Sequence, residues 1–151
     1  SIIEKLEELI ESPVNGIQIH RSLGRYFYHG ILSLAQQKSN RVVCVGNSSS
    51  GIKETPFFGC PTVNIGSRQQ GRLRGKNVID CDYKEQSIFS AVIRCIEDDE
   101  FRDTCSGTDN PYYLGNAGKK IAKVLAKIPI DNTLLRKRMM LKGEYDDGCF
   151  R

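Results

Sequence analysis

Several signatures of metal sites and secretion are missing from these 151 residues. There is no C-x-x-C pair and no paired histidine spacing, so the six cysteines match no recognisable zinc site. Cys44, Cys60 and Cys81 lie in or beside apolar, strand-like runs, where a free cysteine packs as a small hydrophobic residue. We therefore predict a reduced, cytoplasmic protein with no metal and no cofactor.

Long apolar segments are also lacking. No run of 18 apolar residues and no signal peptide occurs, so we expect no membrane partner. The chain is 39% hydrophobic and 26% charged, which is ordinary for a globular domain. Its length allows a buried core without disulfides, and we predict a single domain over residues 1–151.

The net charge of +4 is unevenly distributed. Residues 119–142 carry eight lysines and arginines against a single acidic residue, Asp131. This segment has no interleaved aromatic residues and no recognised RNA or DNA motif, which argues against a nucleic-acid partner. A solvated helix face followed by a basic tail is the favoured interpretation, and an oligomer contact is the alternative.

Apolar periodicity predicts strands and helices in alternation. Strands are expected at residues 16–20, 41–45, 62–66 and 77–81. Helices are expected over residues 1–12, near 26–36, in a short segment that ends at Gly59-Cys60-Pro61, from Asp82 to about 98–100, and from about Asn116 to Pro129. Residues 104–115 are expected to form a loop. This order predicts βαβ units and therefore a Rossmann-like, three-layer α/β/α fold around a parallel sheet.

The sequence also predicts how two of these helices begin and pack. Asp82 is expected to cap the helix that follows it, with Glu85 as partner. The buried positions of that helix are expected to be Ile88, Phe89, Val92, Ile93 and Ile96, and those of the helix from about Asn116 are expected to be Ala117, Ile121, Val124, Leu125 and Ile128. The chain opens on a helix, whereas a doubly wound domain normally opens on a strand, so we expect it to be the later part of a larger domain or protein.

The stretch VGNSSSGIKE, residues 45–54, resembles a phosphate-binding loop with a defect. A nucleoside-triphosphate loop needs G-x-x-x-x-G-K-[ST], but here Ile52 separates Gly51 from Lys53. The loop follows a predicted strand, at the edge where α/β sheets bind ligands. If a helix begins at Ser50 or Gly51, its free N–H groups form an anion site without lysine or metal. A serine-rich helix cap without a ligand is the alternative, and Pro56 should bend or shorten the helix.

Charged residues near this loop suggest a nucleotide. Glu54 could simply complement the helix dipole, but beside a phosphate site a carboxylate suits ribose hydroxyls better. The segment GSRQQGRLRG, residues 66–75, follows another predicted strand and contains Arg68, Arg72 and Arg74. Each arginine alone could be a surface residue, but three of them near the serine loop favour binding of a diphosphate.

Two segments, GNSSSGIKE and FFGCPTVNIGSRQQGR, resemble the UDP-N-acetylglucosamine 2-epimerase family, in particular its hydrolysing branch, and the resemblance covers about residues 41–80. It implies two Rossmann-like domains in the GT-B arrangement, with this chain as most of the C-terminal UDP-binding domain and the N-terminal domain absent. It also implies that Ser48 and Ser49, with the backbone of Ser50 and Gly51, bind the diphosphate. By the same resemblance, Glu54 binds the ribose hydroxyls and Arg68 faces the diphosphate. Arg72 is a weaker candidate for the diphosphate site.

The reaction implied is elimination of UDP from UDP-N-acetylglucosamine, then hydration to N-acetylmannosamine, as in sialic-acid biosynthesis. The acid and base belong to the absent domain, so no catalytic residue is assigned here and the chain alone is expected to be inactive. We expect His20 and His29 to be structural or exposed, and the full-length protein to be a homo-oligomer. The alternatives are the nucleotide-sugar half of a GT-B glycosyltransferase and a non-catalytic UDP-sensing domain.

Overall fold

A sheet of three parallel strands organises the computed structural model, which describes residues 2–11, 16–113 and 115–132. The strand order is β1-β2-β3, with β1 at Cys44–Gly46, β2 at Thr62–Ile65 and β3 at Val78–Cys81. Both pairings are parallel. β2 and β3 lie within the predicted runs, whereas β1 begins three residues later than predicted. The parallel sheet confirms the expectation drawn from the apolar runs.

Helices precede and follow these strands. The structure has α1 (Ile2–Glu11), α2 (Gly24–Ser33), α3 (Ser50–Lys53), α4 (Glu85–Glu97), α5 (Asp99–Ser106) and α6 (Ala117–Leu125). Short 3₁₀ turns occupy Leu34–Gln36 and Thr55–Phe58. Pro56 lies in the second turn, which replaces the continuation of α3 as predicted. The order of elements is that of a Rossmann-like α/β fold.

Two apolar clusters cover the two faces of the sheet. On one face Val63 of β2 packs with Ala91 and Cys95 of α4 and with Phe101 and Cys105 of α5. A second cluster contains Leu32, Ala35 and Cys60, with Cys44 of β1 packed against it. Successive side chains of a strand point to opposite faces, which is why Val43 joins the first cluster and Cys44 the second. The three-layer prediction is confirmed by this arrangement.

A buried polar network ties α3 to the sheet. The Thr55 hydroxyl donates to the carbonyl of Gly51 at 2.6 Å. It accepts hydrogen bonds from the Thr62 hydroxyl at 2.9 Å and from the Asn77 amide at 3.0 Å. Thr55, Thr62 and Asn77 are at most 2% exposed, so these bonds replace water that burial has removed. The end of α3 is therefore anchored to β2 and to the entry of β3.

The predicted strand at residues 16–20 is wrong. These residues form no strand, and Ile17 and Ile19 are 47% and 38% exposed. Their alternation of apolar and polar side chains is typical of a strand, but a strand also needs a neighbour to complete its backbone hydrogen bonds. No strand in the described part of the chain pairs with this segment.

The structure corrects the start of the long helix and its buried face. α4 begins at Glu85, after Lys84, and Asp82 does not cap it. The Asp82 carboxylate instead accepts from the Lys84 amide at 3.0 Å, and its hydrogen bond with the Ser87 side chain lowers the pKa of Asp82. The fully buried positions of α4 are Ala91 and Cys95, and the predicted set (Ile88, Phe89, Val92, Ile93, Ile96) flanks them, with Phe89 exposed.

A helix that sequence periodicity missed follows α4. The Asp98 side chain accepts from the Phe101 amide at 2.9 Å and so caps α5. α5 extends to Ser106, which places residues 104–106 in a helix rather than in the predicted loop. α5 has a mostly polar sequence, and only Phe101 and Cys105 contribute apolar side chains to the core. Two apolar residues are too few to give a helical period.

The chain divides into two compact units, residues 1–113 and residues 114–151. In the second unit α6 forms within the predicted range, but none of its residues is buried, so the predicted burial of its apolar positions is wrong for the described residues. The basic residues beyond position 132 lie outside the described part of the chain. Within the described ranges, no helix has the length and apolar character needed to cross a membrane.

Candidate functional site

The carboxyl ends of the three strands bring two predicted loops together. Gly46, at the end of β1, is in register with Asn64 of β2, and Ile65 of β2 is in register with Cys81 of β3. The serine loop therefore leaves the sheet beside the 66–75 segment. This edge is where Rossmann-like proteins bind their ligands.

Two side chains of the 66–75 segment hold the start of the serine loop. The Arg68 guanidinium donates from Nη1 to the main-chain oxygen of Asn47 at 3.3 Å and to its side-chain oxygen at 3.4 Å. The Gln69 amide donates to the same main-chain oxygen at 2.7 Å. Gln69 is only 1% exposed, whereas Arg68 is exposed. Arg68 thus lies next to the loop as predicted, and Gln69 is an anchor that the sequence did not indicate.

The serines occupy different environments. The Ser48 hydroxyl accepts from the Ser50 amide at 3.3 Å, and Ser49 immediately precedes α3. The Ser50 hydroxyl forms a hydrogen bond with the Tyr28 hydroxyl of α2 and so points towards that helix. α3 begins at Ser50, in agreement with the predicted start. The Gly51 main-chain N–H donates to the carbonyl of Ser48 at 3.1 Å, so the N–H groups of Ser50 and Gly51, which were expected to be free, both have partners within the loop.

Gly51 and Ile52 are packing positions. Both are buried, and Ile52 has no exposed surface. A Cβ atom at residue 51 would come within 3.2 Å of the Thr62 methyl carbon, which is closer than most such contacts. Glycine therefore lets α3 lie directly against β2. Ile52 faces the interior beneath the loop, and this explains why no lysine occupies that position.

Glu54 lies at the end of α3, not in the first turn of a longer helix. One carboxylate oxygen, Oε2, is 2.6 Å from Nε2 of His29. Both side chains remain accessible, with 41% of Glu54 and 35% of His29 exposed. His29 was expected to be structural or exposed, and nothing in the sequence indicated this contact, because 25 positions separate the two residues. His20 is exposed and lies 3.4 Å from the Gln18 side chain.

A cavity of about 580 Å³ adjoins Ser50 and Glu54. The remaining lining residues come from the segment before α2 and from α2 itself: His20, Ser22, Leu23, Gly24, Arg25 and Tyr28. This cavity is open to solvent rather than enclosed. None of these six residues was predicted to lie at a ligand site, and His20 was expected to end a strand.

The other two arginines of the 66–75 segment differ from Arg68. Arg74 forms an ion pair with Asp80 and donates to the main-chain oxygen of Gln69, so it stabilises the segment itself. Arg72 is exposed, and its guanidinium makes no hydrogen bond or ion pair with any other described residue. The expectation that all three arginines face a cleft is therefore too broad for Arg74.

Burial keeps the groups behind the loop neutral. Desolvation raises the pKa of the Tyr28 hydroxyl to about 12, although its bond with Ser50 acts in the opposite direction. Burial also raises the pKa of the Cys44 thiol, which lies near Tyr28. Both groups therefore remain uncharged near neutral pH, so neither adds negative charge beside the loop.

The fold and the loop place the chain in the class of Rossmann-like α/β proteins with a polar, glycine-containing loop at the carboxyl edge of the sheet. Comparison with known proteins narrows the class. The sequence model of the family described as UDP-N-acetylglucosamine 2-epimerase matches residues 1–126. The chain belongs to this family.

Individual relatives agree with this assignment. The chain is 32% identical over 139 residues to a GDP/UDP-N,N'-diacetylbacillosamine 2-epimerase (hydrolyzing) from Campylobacter jejuni, which covers 92% of this chain and 34% of the relative. It is 31% identical over 136 residues to a UDP-N,N'-diacetylbacillosamine 2-epimerase (hydrolyzing) from Legionella pneumophila, covering 90% and 33%. It is 42% identical over 67 residues to a UDP-N-acetylglucosamine 2-epimerase from Neisseria meningitidis, covering 43% and 18%. The chain spans about one third of the length of the first two relatives.

Proposed function

We propose that this chain is the UDP-binding part of a hydrolysing UDP-N-acetylglucosamine 2-epimerase of the GT-B type. The observation that carries the proposal is the contact of Arg68 with Asn47 at the start of the serine loop, at the carboxyl edge of the sheet and seven positions before Glu54. Family membership supports the epimerase over a glycosyltransferase half or a UDP-sensing domain.

Each predicted residue has a physical role in this proposal. Ser48 and Ser49, with the main-chain N–H groups of Ser50 and Gly51, bind the diphosphate. Arg68 supplies a permanent positive charge beside them, and Arg72 contributes a weaker, long-range attraction. These groups require no lysine and no metal ligand in the loop.

Glu54 receives the ribose hydroxyls in the same proposal. Its carboxylate accepts hydrogen bonds only, which suits a diol that donates two. The open cavity beside Glu54 leaves its carboxylate accessible to a nucleoside. The names of the relatives include both N-acetylglucosamine and N,N'-diacetylbacillosamine, and both sugars carry an acetamido group.

The chemical task of this part of the enzyme is to stabilise the leaving group. A base supplied by the rest of the protein removes the proton at C2, and the C1–O bond breaks with release of UDP. Water then adds across the resulting double bond to give N-acetylmannosamine. Negative charge grows on the diphosphate during elimination, and the N–H groups, the serine hydroxyls and Arg68 are assigned to stabilise that charge.

UDP should raise the melting temperature of this chain in a dose-dependent manner, because only the folded state binds it. At a hundredfold excess over Kd the stabilisation is about 2.7 kcal/mol. For a domain of this size that corresponds to a shift of several degrees, at roughly 2–4 °C per kcal/mol. Differential scanning fluorimetry with UDP, uridine and pyrophosphate is the measurement. An unchanged melting temperature at millimolar UDP would contradict the proposal.

Replacing Glu54 with alanine should weaken UDP binding about tenfold and leave pyrophosphate binding nearly unchanged. The reason is that the substitution removes an ionised hydrogen-bond acceptor, worth about 1.5–3 kcal/mol, from the ribose side only. Isothermal titration with both ligands tests this, with the nearby exposed Lys53→Ala variant as the control. Equal losses for UDP and pyrophosphate would remove Glu54 from the ribose site.

A further inference from the structure

The strongest unassigned contact beside the proposed site is that between His29 and Glu54. Nε2 of His29 lies 2.6 Å from Oε2 of Glu54, within hydrogen-bond distance. Because a carboxylate oxygen accepts, this contact requires the tautomer in which the Nε2–H group of His29 donates a hydrogen bond to Oε2. The imidazole packs against the ring of Phe58, with 5.3 Å between ring centroids, and this contact limits its orientation.

α2 reaches α3 through two consecutive residues. The Tyr28 hydroxyl bonds the Ser50 hydroxyl, and the His29 imidazole bonds the Glu54 carboxylate. Ser50 and Glu54 are four positions apart and therefore lie on the same side of the turn. α2 thus contacts both ends of the segment to which we assign diphosphate and ribose binding.

The geometry of the pair determines what Glu54 can still bind. A glutamate side chain has three rotatable torsions and samples many positions when it is accessible. The bond to His29 holds Oε2, while Oε1 has no hydrogen-bond partner among the described residues. Each carboxylate oxygen has two acceptor positions, so the held group can still accept two hydroxyls.

We propose that His29 is a positioning residue that orients the Glu54 carboxylate for both ribose hydroxyls. The pair therefore selects ribonucleoside diphosphates over 2′-deoxyribonucleoside diphosphates. This inference rests on the proposed function, because it assumes that UDP binds beside Glu54. Its physical basis is preorganisation: a ligand need not bear the cost of ordering a side chain that the protein already holds in place.

The test is a double-mutant cycle on the 151-residue chain, measured by isothermal titration. His29→Ala should weaken UDP binding about three- to tenfold and leave pyrophosphate binding unchanged. The preference for UDP over 2′-deoxy-UDP should shrink by a similar factor. His29→Gln should recover most of the loss, because its amide can donate from a position near Nε2. In a Glu54→Ala background, His29→Ala should have no further effect, since neighbours in one network are non-additive.

Tyr26→Ala is the matched control, because Tyr26 lies on the same helix and is 85% exposed. It should leave every binding constant unchanged. Equal losses of UDP and pyrophosphate in His29→Ala would indicate a general structural defect and overturn the inference, as would additive losses in the double variant or failure of His29→Gln to recover binding. A wild-type chain that binds no UDP would overturn the proposed function itself. Wild-type UDP binding that depends on Glu54 but is unaffected by His29→Ala would overturn only the role of His29.

Discussion

Replacing Arg68 with alanine is expected to weaken UDP binding by about 10- to 100-fold. A hydrogen bond to a charged group contributes about 1.5–3 kcal/mol, and each 1.4 kcal/mol is a factor of ten in affinity. The guanidinium also donates to Asn47, so its removal loosens the start of the serine loop. The measurement is isothermal titration of UDP and pyrophosphate into wild-type and variant chains. Both ligands should weaken by similar factors, because Arg68 is assigned to the diphosphate.

Arg72→Ala is the matched control for this prediction. Arg72 lies in the same segment and has the same charge, but its guanidinium contacts no other described residue. Its loss should cost less than a factor of about five in affinity, as expected for an exposed charge acting through solvent. If Arg72→Ala weakened UDP as much as Arg68→Ala, the assignment of Arg68 would be wrong. A conservative Arg68→Lys variant should retain part of the affinity through its charge but lose the planar, two-pronged geometry.

Asn77→Ala is expected to give the largest loss of stability, about 2–4 kcal/mol in the free energy of unfolding. The Asn77 side chain is fully buried and donates to the Thr55 hydroxyl at 3.0 Å and to the carbonyl of Cys60 at 2.8 Å. Alanine would leave these groups short of a donor and create a small cavity. Urea denaturation followed by circular dichroism is the measurement, with the exposed Gln86→Ala as control. A loss below about 1 kcal/mol would show that the network contributes little.

The parallel sheet was predictable from local sequence because its signal is local. Short, continuous apolar runs such as those at 41–45, 62–66 and 77–81 are typical of strands in a parallel sheet that is covered by helices. β2 shows this most clearly, since Thr62, Val63 and Asn64 are all buried. Pro56 similarly predicted the early end of α3, because a proline lacks the N–H that a longer helix would need.

The helix errors have a different cause. Asp82 and Glu85 match the pattern of a capping box. In the structure, however, the Asp82 carboxylate accepts a hydrogen bond from the main-chain N–H of Lys84, which precedes the first residue of α4. At α5 the apolar content was too low to reveal a helix, and its stability depends on the Asp98 cap and on the contact of Phe101 and Cys105 with the sheet side of α4. The formation of α5 therefore depends on contacts with residues outside the helix itself.

Most of the candidate site could be inferred from sequence, because its residues are grouped. Ser48, Ser49, Ser50, Gly51 and Glu54 fall in one loop and helix turn, and Arg68 follows the next strand, so parallel pairing brings them to one edge. The resemblance of these segments to the epimerase family agrees with the match of the family over residues 1–126. Their assignment to UDP remains the proposal made above.

The amino-acid sequence by itself determined the three strands of the sheet, the loop and its family. Apolar period, glycine and proline positions and a contiguous motif are all properties of short segments. Only the tertiary structure decided which side chains contact the serine loop and α3. Folding brings His29 to Glu54, Gln69 to Asn47 and Asn77 to Thr55 across 22 to 25 positions. Nothing in the spacing of these pairs specifies a contact, since each depends on how α2 and the strand-end loops pack against α3. The misplaced lysine of the loop is explained in the same way, since Ile52 occupies a buried position that only the packed sheet creates.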